Sequence, residues 1–259
     1  DYFKTEKDLT LHKEIKTFKL QDNNVGGGSK DGDIVSNYLR NKEINFNSYI
    51  SIPTEPTHEF QLLELLGFKY LQIGTDCVFN GTNGMYDEES TTDAEDIYGK
   101  TKIAGEILVD NKTVIRSSII GPEGGIGSSL LNWFYHEQSD EVNGFNNHLW
   151  NGVTTLNFAN VINGMIENNY DAGLIQHLIP SDTVTKYELL HLFANYFDKE
   201  ISINKNEADT VINRTLSTLD PKQNKVLWNF GGYSAIPTVQ ENIKELSKYG
   251  LTKELLVKQ

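Results

Sequence analysis

The chain of 259 residues has one cysteine, Cys77, and no apolar run near the roughly 20 residues that cross a bilayer. A single cysteine excludes an internal disulfide and any zinc site built from cysteines. His148 has no metal-binding motif around it, so we expect no metal site. The first residues, DYFKTEKDLT, lack the basic end and apolar middle of a signal peptide. We therefore expect a cytoplasmic protein that neither spans nor binds a membrane.

Basic residues are also scarce, with 23 Lys and Arg against 36 Asp and Glu and a formal net charge of −13. Nucleic acids and anionic membranes bind basic surfaces, so we expect neither as a partner. An acidic protein can still bind an anionic metabolite if it gathers cations in a local pocket. Arg40, Arg116 and Arg214 are the candidates for such a pocket.

Short β-branched or aromatic runs alternate along the chain with amphipathic helical patterns. The predicted strands are 8–12, 15–20, 33–39, 68–74, 113–120 and 173–180, and the predicted helices are 59–67, 98–110 and 156–169. This alternation predicts an α/β fold, with a parallel sheet that is covered on both faces. Helical patterns at 186–197 and 237–250, around a strand at 200–204, predict a smaller C-terminal lobe.

Two glycine-rich segments lie in different contexts. Gly26, Gly28 and Gly32 in VGGGSKDG are spaced like a phosphate loop, but a strand pattern follows them where such a loop needs a helix. We interpret that segment as a surface loop. Gly124, Gly125 and Gly127 follow a predicted strand, where ligands contact open α/β sheets.

In DAEDIYGKTKIAGE (93–106), Tyr98 and Lys102 lie four residues apart and would share one face of a helix. The spacing alone is weak evidence, because Tyr249 and Lys253 repeat it where a helix is predicted to end at a glycine C-cap. What distinguishes Tyr98 is the upstream LQIGTDCVFNG (71–81), which places the Thr75 hydroxyl at the carboxyl edge of a strand. An isolated threonine there would be explained by a bond to a nearby carbonyl. Together the three residues form a candidate catalytic group.

Four stretches, IGTDCVFNG, DAEDIYGKTKIAGE, VIRSSIIGPE and NHLWNGVTTLNFANVI, resemble in this order the extended short-chain dehydrogenase/reductases, and among them the dTDP-4-dehydrorhamnose reductase branch. The resemblance covers roughly residues 33–220. It implies a Rossmann-like doubly wound parallel sheet, N-terminally incomplete here, with a smaller C-terminal α/β substrate lobe. The implied dinucleotide-binding domain is 1–121, which also receives 153–180, and the implied substrate lobe is 122–152 with 181–259.

The resemblance implies reduction, dependent on NADP or NAD, of the 4-keto group of a nucleotide-linked 6-deoxysugar, and it leaves a homodimer possible. The family's Ser or Thr, Tyr and Lys correspond to Thr75, Tyr98 and Lys102. Tyr98 would protonate the carbonyl oxygen while Thr75 hydrogen-bonds the same carbonyl. Lys102 would hold the nicotinamide ribose and lower the pKa of the tyrosine.

Further contacts are implied around this group. The implied cofactor contacts are Tyr98, Lys102, Ser117, Ser118 and Ile119, and the implied substrate contacts are Thr75, Asp76, Cys77, Asn147, Trp150 and Arg214. The loop GFNNHLWNGVTT combines amides with an aromatic face, which suits a sugar. Trp150 would equally suit the cap of a core, and Arg214 would equally suit the surface.

Other activities of the same fold stay open. Related dehydratases continue the strand end as Thr-Asp-Glu, whereas this chain has Thr75-Asp76-Cys77. A cysteine does not readily replace a glutamate base, so we rank reduction above dehydration or epimerisation, and we read Cys77 as a small buried residue. A non-catalytic cofactor-binding subunit, like the regulatory subunit of methionine adenosyltransferase, is a further alternative.

The chain departs from the family at its start. DYFKTEKDLTLH resembles the last turn of the family's first helix and its second strand, so we expect the first strand and its glycine-rich loop to be absent. Without that loop, affinity for the cofactor should fall. His12 and Lys13 follow the predicted second strand and would tolerate a 2′-phosphate, which slightly favours NADP over NAD.

Overall fold

The computed structural model describes residues 48–51, 69–106, 112–123, 129–170 and 173–257. Several predictions concern residues outside these ranges. They are the strands at 8–12, 15–20 and 33–39, the helix at 59–67, the glycines of both glycine-rich segments, and His12, Lys13 and Arg40.

The described elements alternate as follows. The strands are β1 (Ser48–Ser51), β2 (Lys69–Ile73), β3 (Lys112–Arg116), β4 (Ile119–Ile120), β5 (Glu141–Phe145), β6 (Leu149–Trp150), β7 (Val153–Thr154), β8 (Ile175–His177), β9 (Val184–Thr185) and β10 (Ser202–Asn206). The helices are α1 (Ile97–Gly105), α2 (Leu130–His136), α3 (Thr155–Glu167), α4 (Lys186–Tyr196), α5 (Pro221–Phe230), α6 (Val239–Lys248) and α7 (Gly250–Val257). A short 3-10 helix, Asp76–Val78, follows β2.

A four-stranded parallel sheet carries the site, with strand order β1-β2-β3-β8. All residues of β3 are buried, which is typical of a sheet covered on both faces. Even Lys112 is buried there, because its ammonium donates to the Gly105 carbonyl at 2.9 Å. This sheet confirms the predicted α/β, Rossmann-like fold.

The strand predicted at 113–120 divides into β3 and β4. The break falls at Ser117 and Ser118, whose polar groups bond neighbouring segments. The Ser117 hydroxyl donates to the Leu178 carbonyl at 2.8 Å, and the Ser118 carbonyl accepts from the Val153 amide at 2.8 Å. As a result, β4 leaves the main sheet and pairs in parallel with β7.

Two apolar clusters meet along α3. Phe158, Ile162 and Met165 pack into the cluster beneath the sheet, whereas Leu156 packs into the cluster of the C-terminal elements. That second cluster also includes Ile120. The parallel pair β5–β10 joins the two segments that were predicted to form the substrate lobe. The domain boundaries themselves stay a prediction.

The C-terminal elements follow the sequence pattern, with one difference at residue 250. The helix predicted over 237–250 is α6, and it ends with Tyr249 as its C-cap. Gly250 does not cap it, because the chain enters α7 at that residue and the Thr252 amide donates to the Tyr249 carbonyl at 3.0 Å. Across the described ranges, none of the helices has the length and apolar character needed to traverse a bilayer.

We predict that Gly164→Ala lowers the free energy of unfolding by about 1–3 kcal/mol. An added Cβ would lie 1.9 Å from the Phe230 carbonyl oxygen, so α3 and the end of α5 would have to separate. Chemical denaturation measures the effect. Gly250→Ala is the matched control, because nothing lies within 4 Å of its Cβ position. Equal stability of the two variants would contradict the prediction.

Candidate active site

The site begins at the turn that follows β2. Thr75 is buried, and its hydroxyl accepts from the Cys77 amide at 3.1 Å, which caps the 3-10 helix. The same hydroxyl donates to Asp76 Oδ1 at 3.2 Å. The Thr75 hydroxyl therefore bonds an amide and a carboxylate, and not a nearby carbonyl, which was the alternative explanation for a threonine at this place.

Tyr98 and Lys102 lie on α1, as the four-residue spacing predicted. The Lys102 ammonium lies 5.6 Å from the centroid of the Tyr98 ring. Lys102 is buried whereas Tyr98 is 37% exposed. Burial lowers the pKa of Lys102, and the charges of Glu106 and Cys77 oppose that shift. The pair thus combines a partly exposed tyrosine with a buried lysine.

Gly99 allows α1 to pack against the turn that carries Thr75. A Cβ at this position would lie 2.5 Å from the Cys77 carbonyl oxygen and 2.3 Å from the Ala94 Cβ. Such distances are shorter than van der Waals contact, so no other residue fits without moving the helix. The Asp96 side chain caps the helix by accepting from the Gly99 amide at 2.8 Å. The absence of a side chain at Gly99 therefore allows α1, which carries Tyr98, to pack closely against the turn.

Asp76 is buried on the same turn and accepts from the Thr75 hydroxyl at 3.2 Å. Nearby, the Trp150 indole donates to the Ser118 hydroxyl at 2.9 Å. Burial raises the pKa of the Asp76 carboxyl. Ser118, Lys186, Arg214 and Thr75 oppose that rise.

Trp150 is 5% exposed and belongs to the apolar cluster of the C-terminal elements. The Lys186 ammonium lies 5.7 Å from the centroid of its ring. Trp150 therefore packs in a core, which is one of the two roles that the sequence suggested for it. Its predicted contact with a sugar stays a prediction.

Arg214 joins the turn to the start of α1. Its Nε donates to the Phe79 carbonyl at 2.8 Å, and its Nη2 lies 3.5 Å from Asp96 Oδ2. Its Nη1 lies 3.8 Å from the Cys77 sulfur. The arginine thus borders the site instead of standing alone on the surface, while its contact with a phosphate stays a prediction.

The other predicted contacts lie around this centre. Ser117 bonds Leu178, as described above, and Ile119 packs against the cluster beneath the sheet. The Asn147 amide makes a reciprocal pair of bonds with the Ala208 backbone, at 2.8 and 2.9 Å. These bonds fix the loop, and the predicted contact of Asn147 with a sugar stays a prediction. Among the residues that the structure describes, no His, Cys, Asp and Glu side chains gather into a metal-binding group of three.

Two features of the site were missed by the sequence reasoning. Lys186 stands in a Thr185–Glu188 capping box, a signal that explains its helix but gives no hint that its ammonium lies over the Trp150 ring. Arg116, considered for an anion pocket, instead pairs with Glu106 at 2.6 Å, and both side chains are buried. Glu106 is the C-cap of α1, so this pair ties the helix that carries Lys102 to the end of β3.

We predict that the Cys77 thiol reacts slowly with iodoacetamide. Burial raises its pKa to about 11, so the thiol stays protonated at neutral pH and reactivity appears only as pH rises toward that value. At pH 8 the rate should be roughly 100-fold below that of a free cysteine. Mass spectrometry of the alkylated protein measures it.

Gly99→Ala should speed this alkylation, because a displaced α1 readmits water to Cys77 and lets its pKa fall. Gly250→Ala, remote from the thiol in sequence and without steric contact, should leave the rate unchanged. A rate in Gly99→Ala equal to that of the parent chain would show that the helix does not control the environment of the thiol.

Comparison with known proteins adds a family match and several structural neighbours. A family model described as the RmlD substrate binding domain matches residues 61–215. The spore coat polysaccharide biosynthesis protein SpsK of Bacillus subtilis (strain 168) is 40% identical over 65 residues, which are 23% of this chain and 23% of that protein. The match therefore spans less than a quarter of this curated relative.

Several solved structures share the fold. The dTDP-4-dehydrorhamnose reductase of Bacillus anthracis str. Ames, in complex with NADP, has a TM-score of 0.57 at 18% identity, covering 71% of this chain and 66% of that one. The ortholog from Clostridium acetobutylicum ATCC 824 has a TM-score of 0.55 at 18% identity, with coverages of 71% and 67%. The dTDP-glucose 4,6-dehydratase of Bacillus anthracis str. Ames, in complex with NAD, has a TM-score of 0.57 at 14% identity, with coverages of 88% and 80%.

Proposed function

The chain belongs to the RmlD substrate binding domain family, and from that membership we propose that it reduces the 4-keto group of a nucleotide-linked 6-deoxysugar, with NADP or NAD as cofactor. The observation that carries the proposal is the packing of α1 on the Thr75 turn at Gly99. This contact brings a phenol, a buried ammonium and a buried hydroxyl to one edge of the sheet. A carbonyl reductase needs that set of groups.

Each side chain has a role in the proposed reaction. Tyr98, the more exposed member of the pair, donates a proton to the carbonyl oxygen of the substrate. The Lys102 ammonium stabilises the phenolate that is left, because opposite charges attract strongly at a buried site. Thr75 orients the same oxygen by a hydrogen bond. The bound nicotinamide would supply the hydride.

The donors present suit the nicotinamide ribose. Ammonium and hydroxyl groups hydrogen-bond ribose hydroxyls well, and Lys102, Tyr98 and Ser118 offer such groups at one edge of the sheet. The NADP and NAD complexes of the structural neighbours support this cofactor class. The residues that would meet the pyrophosphate stay outside the proposal, because the sequence analysis identified no phosphate loop, and both glycine-rich segments lie outside the described residues.

Cys77 favours reduction over dehydration. A dehydratase needs a base beside the carbonyl, and a thiol with a pKa of about 11 keeps its proton at neutral pH. Product analysis separates the alternatives, since a reductase consumes reduced cofactor, whereas a dehydratase or epimerase recycles its bound cofactor with no net consumption.

We predict that Tyr98→Phe lowers kcat by about 100- to 10,000-fold, because the proton donor is lost while the ring is retained. The measurement is oxidation of NADPH or NADH by the full-length protein with dTDP-4-dehydrorhamnose. Circular dichroism should show an unchanged fold.

Tyr249→Phe is the matched control, because Tyr249 has the same spacing to a lysine but caps α6. It should leave turnover unchanged. Full turnover in Tyr98→Phe would refute the mechanism. Tight NADPH binding with no turnover on any nucleotide sugar would instead support the non-catalytic binding subunit.

A further inference from the structure

The carboxylate at the end of α1 is held by a guanidinium from β3. Glu106 is the C-cap of α1, and its carboxylate accepts hydrogen bonds from Arg116. The Arg116 Nε lies 3.1 Å from Oε1 and 3.2 Å from Oε2, and the Nη2 lies 2.6 Å from Oε2. Both oxygens of the carboxylate are thus engaged by one guanidinium, whose planar fork fixes their orientation.

The arginine is itself fixed by the segments around the Thr75 turn. A Cβ at Gly74 would lie 2.9 Å from Arg116 Cγ, so the chain just before Thr75 packs directly against the arginine. On the other side of the turn, the Phe79 ring centroid lies 5.4 Å from the guanidinium carbon. The side chains of Arg116 and Glu106 are only 3% and 5% exposed. An arginine packed so closely has little freedom to release the carboxylate.

Lys102 lies one helical turn before Glu106. Residues four apart share one face of a helix, with their Cβ atoms roughly 5–6 Å apart, so the Glu106 carboxylate is within reach of the Lys102 ammonium. In the part of the chain that the structure describes, however, Glu106 forms an ion pair with Arg116 and none with Lys102. The Lys102 ammonium instead lies 5.6 Å from the centroid of the Tyr98 ring. The lysine thus has two possible partners on α1, and it contacts the tyrosine.

The charged and titratable groups around this lysine come from three segments. Tyr98 and Glu106 belong to α1 and its C-cap, Cys77 lies on the turn, and Arg116 lies on β3. Burial lowers the pKa of Lys102, and the charge of Glu106 opposes that fall. A carboxylate that moved onto Lys102 would neutralise the cation beside Tyr98.

We propose that Arg116 is a positioning residue of the site: by holding both oxygens of Glu106, it prevents this carboxylate from pairing with Lys102. The Lys102 ammonium therefore remains beside Tyr98. The inference rests on the proposed reductase function, in which Lys102 stabilises the phenolate that Tyr98 leaves. Arg116 itself touches neither the substrate nor the cofactor, and its effect on catalysis passes through Glu106.

A crystal structure of the Arg116→Met variant tests this restraint without any substrate. Methionine occupies part of the space of the arginine but donates no hydrogen bond, so Glu106 should turn toward the lysine. A carboxylate oxygen should then lie within about 4 Å of the Lys102 ammonium, which is ion-pair distance. A Glu106 that stays in its present place, with no ion pair to Lys102, overturns the proposal.

The second test compares kcat and KM of the full-length protein with dTDP-4-dehydrorhamnose and NADPH. Arg116→Met should lower kcat by about 10- to 100-fold, because a carboxylate paired with Lys102 removes about one to two pKa units of phenolate stabilisation. KM for the sugar nucleotide should change little, because neither Arg116 nor Glu106 touches it. A kcat equal to that of the parent chain overturns the positioning role.

A double variant separates this effect from stability. In Arg116→Met with Glu106→Leu, no carboxylate remains to pair with Lys102, so kcat should return close to the parent value. Replacement of both members of a buried pair by apolar side chains is often tolerated, so this variant decides the question even if Arg116→Met does not fold. A kcat about tenfold below that of the parent would show that the effect does not pass through Glu106, and would overturn the proposal.

Lys112→Met is the matched control. Lys112 is another buried cation of β3, and it bonds the end of α1 through the Gly105 carbonyl at 2.9 Å. Its loss should lower the stability of the protein and leave kcat unchanged. A fall in kcat as large as that of Arg116→Met would indicate a general loosening of the helix end and would overturn the proposal.

Failure of the proposed function is distinguishable from failure of this inference. Absence of reductase activity in the unmodified protein would overturn the reductase function. The crystal structure of Arg116→Met would still decide whether Arg116 restrains Glu106.

Discussion

The site depends on one steric constraint, the absence of a side chain at Gly99. Helix α1 can approach the turn after β2 only because no Cβ stands between its backbone and the Cys77 carbonyl. The contact brings groups of opposite exposure together, a half-exposed phenol from the helix and a buried hydroxyl from the turn. Arg214 then bonds both segments, through Phe79 on one side and Asp96 on the other. An added methyl group at Gly99 would move α1, and Tyr98 with it, away from the turn that carries Thr75.

Much of the centre could be predicted from the sequence because its signals are local. The strand that ends before Thr75 and the helix that carries Tyr98 and Lys102 each show their own periodicity. The break between β3 and β4 could not be predicted in the same way. It depends on bonds from Ser117 and Ser118 to Leu178 and Val153, which lie far along the chain.

The same reason explains why Lys186 was missed. Its capping box accounts for its place in the sequence, so no local signal was left over to suggest that its ammonium lies over the Trp150 ring. Trp150 shows the reverse case. Its aromatic ring suggested a platform for a sugar, a contact that stays a prediction, and only the fold shows that the ring packs in a core while its N–H donates to Ser118. Roles that depend on a partner more than 30 residues away emerge only when the chain is folded.

The end of α1 is held by charges that are hidden from water. Lys112 binds the last carbonyl of the helix, and Arg116, from the same strand, binds its C-cap Glu106. Removing one member of such a buried pair leaves the other charge unpaired, at a cost of about 3–5 kcal/mol. A substitution at only one of the two positions therefore destabilises the protein. Among related proteins, positions 106 and 116 should vary together, with loss of the glutamate accompanied by loss of the arginine.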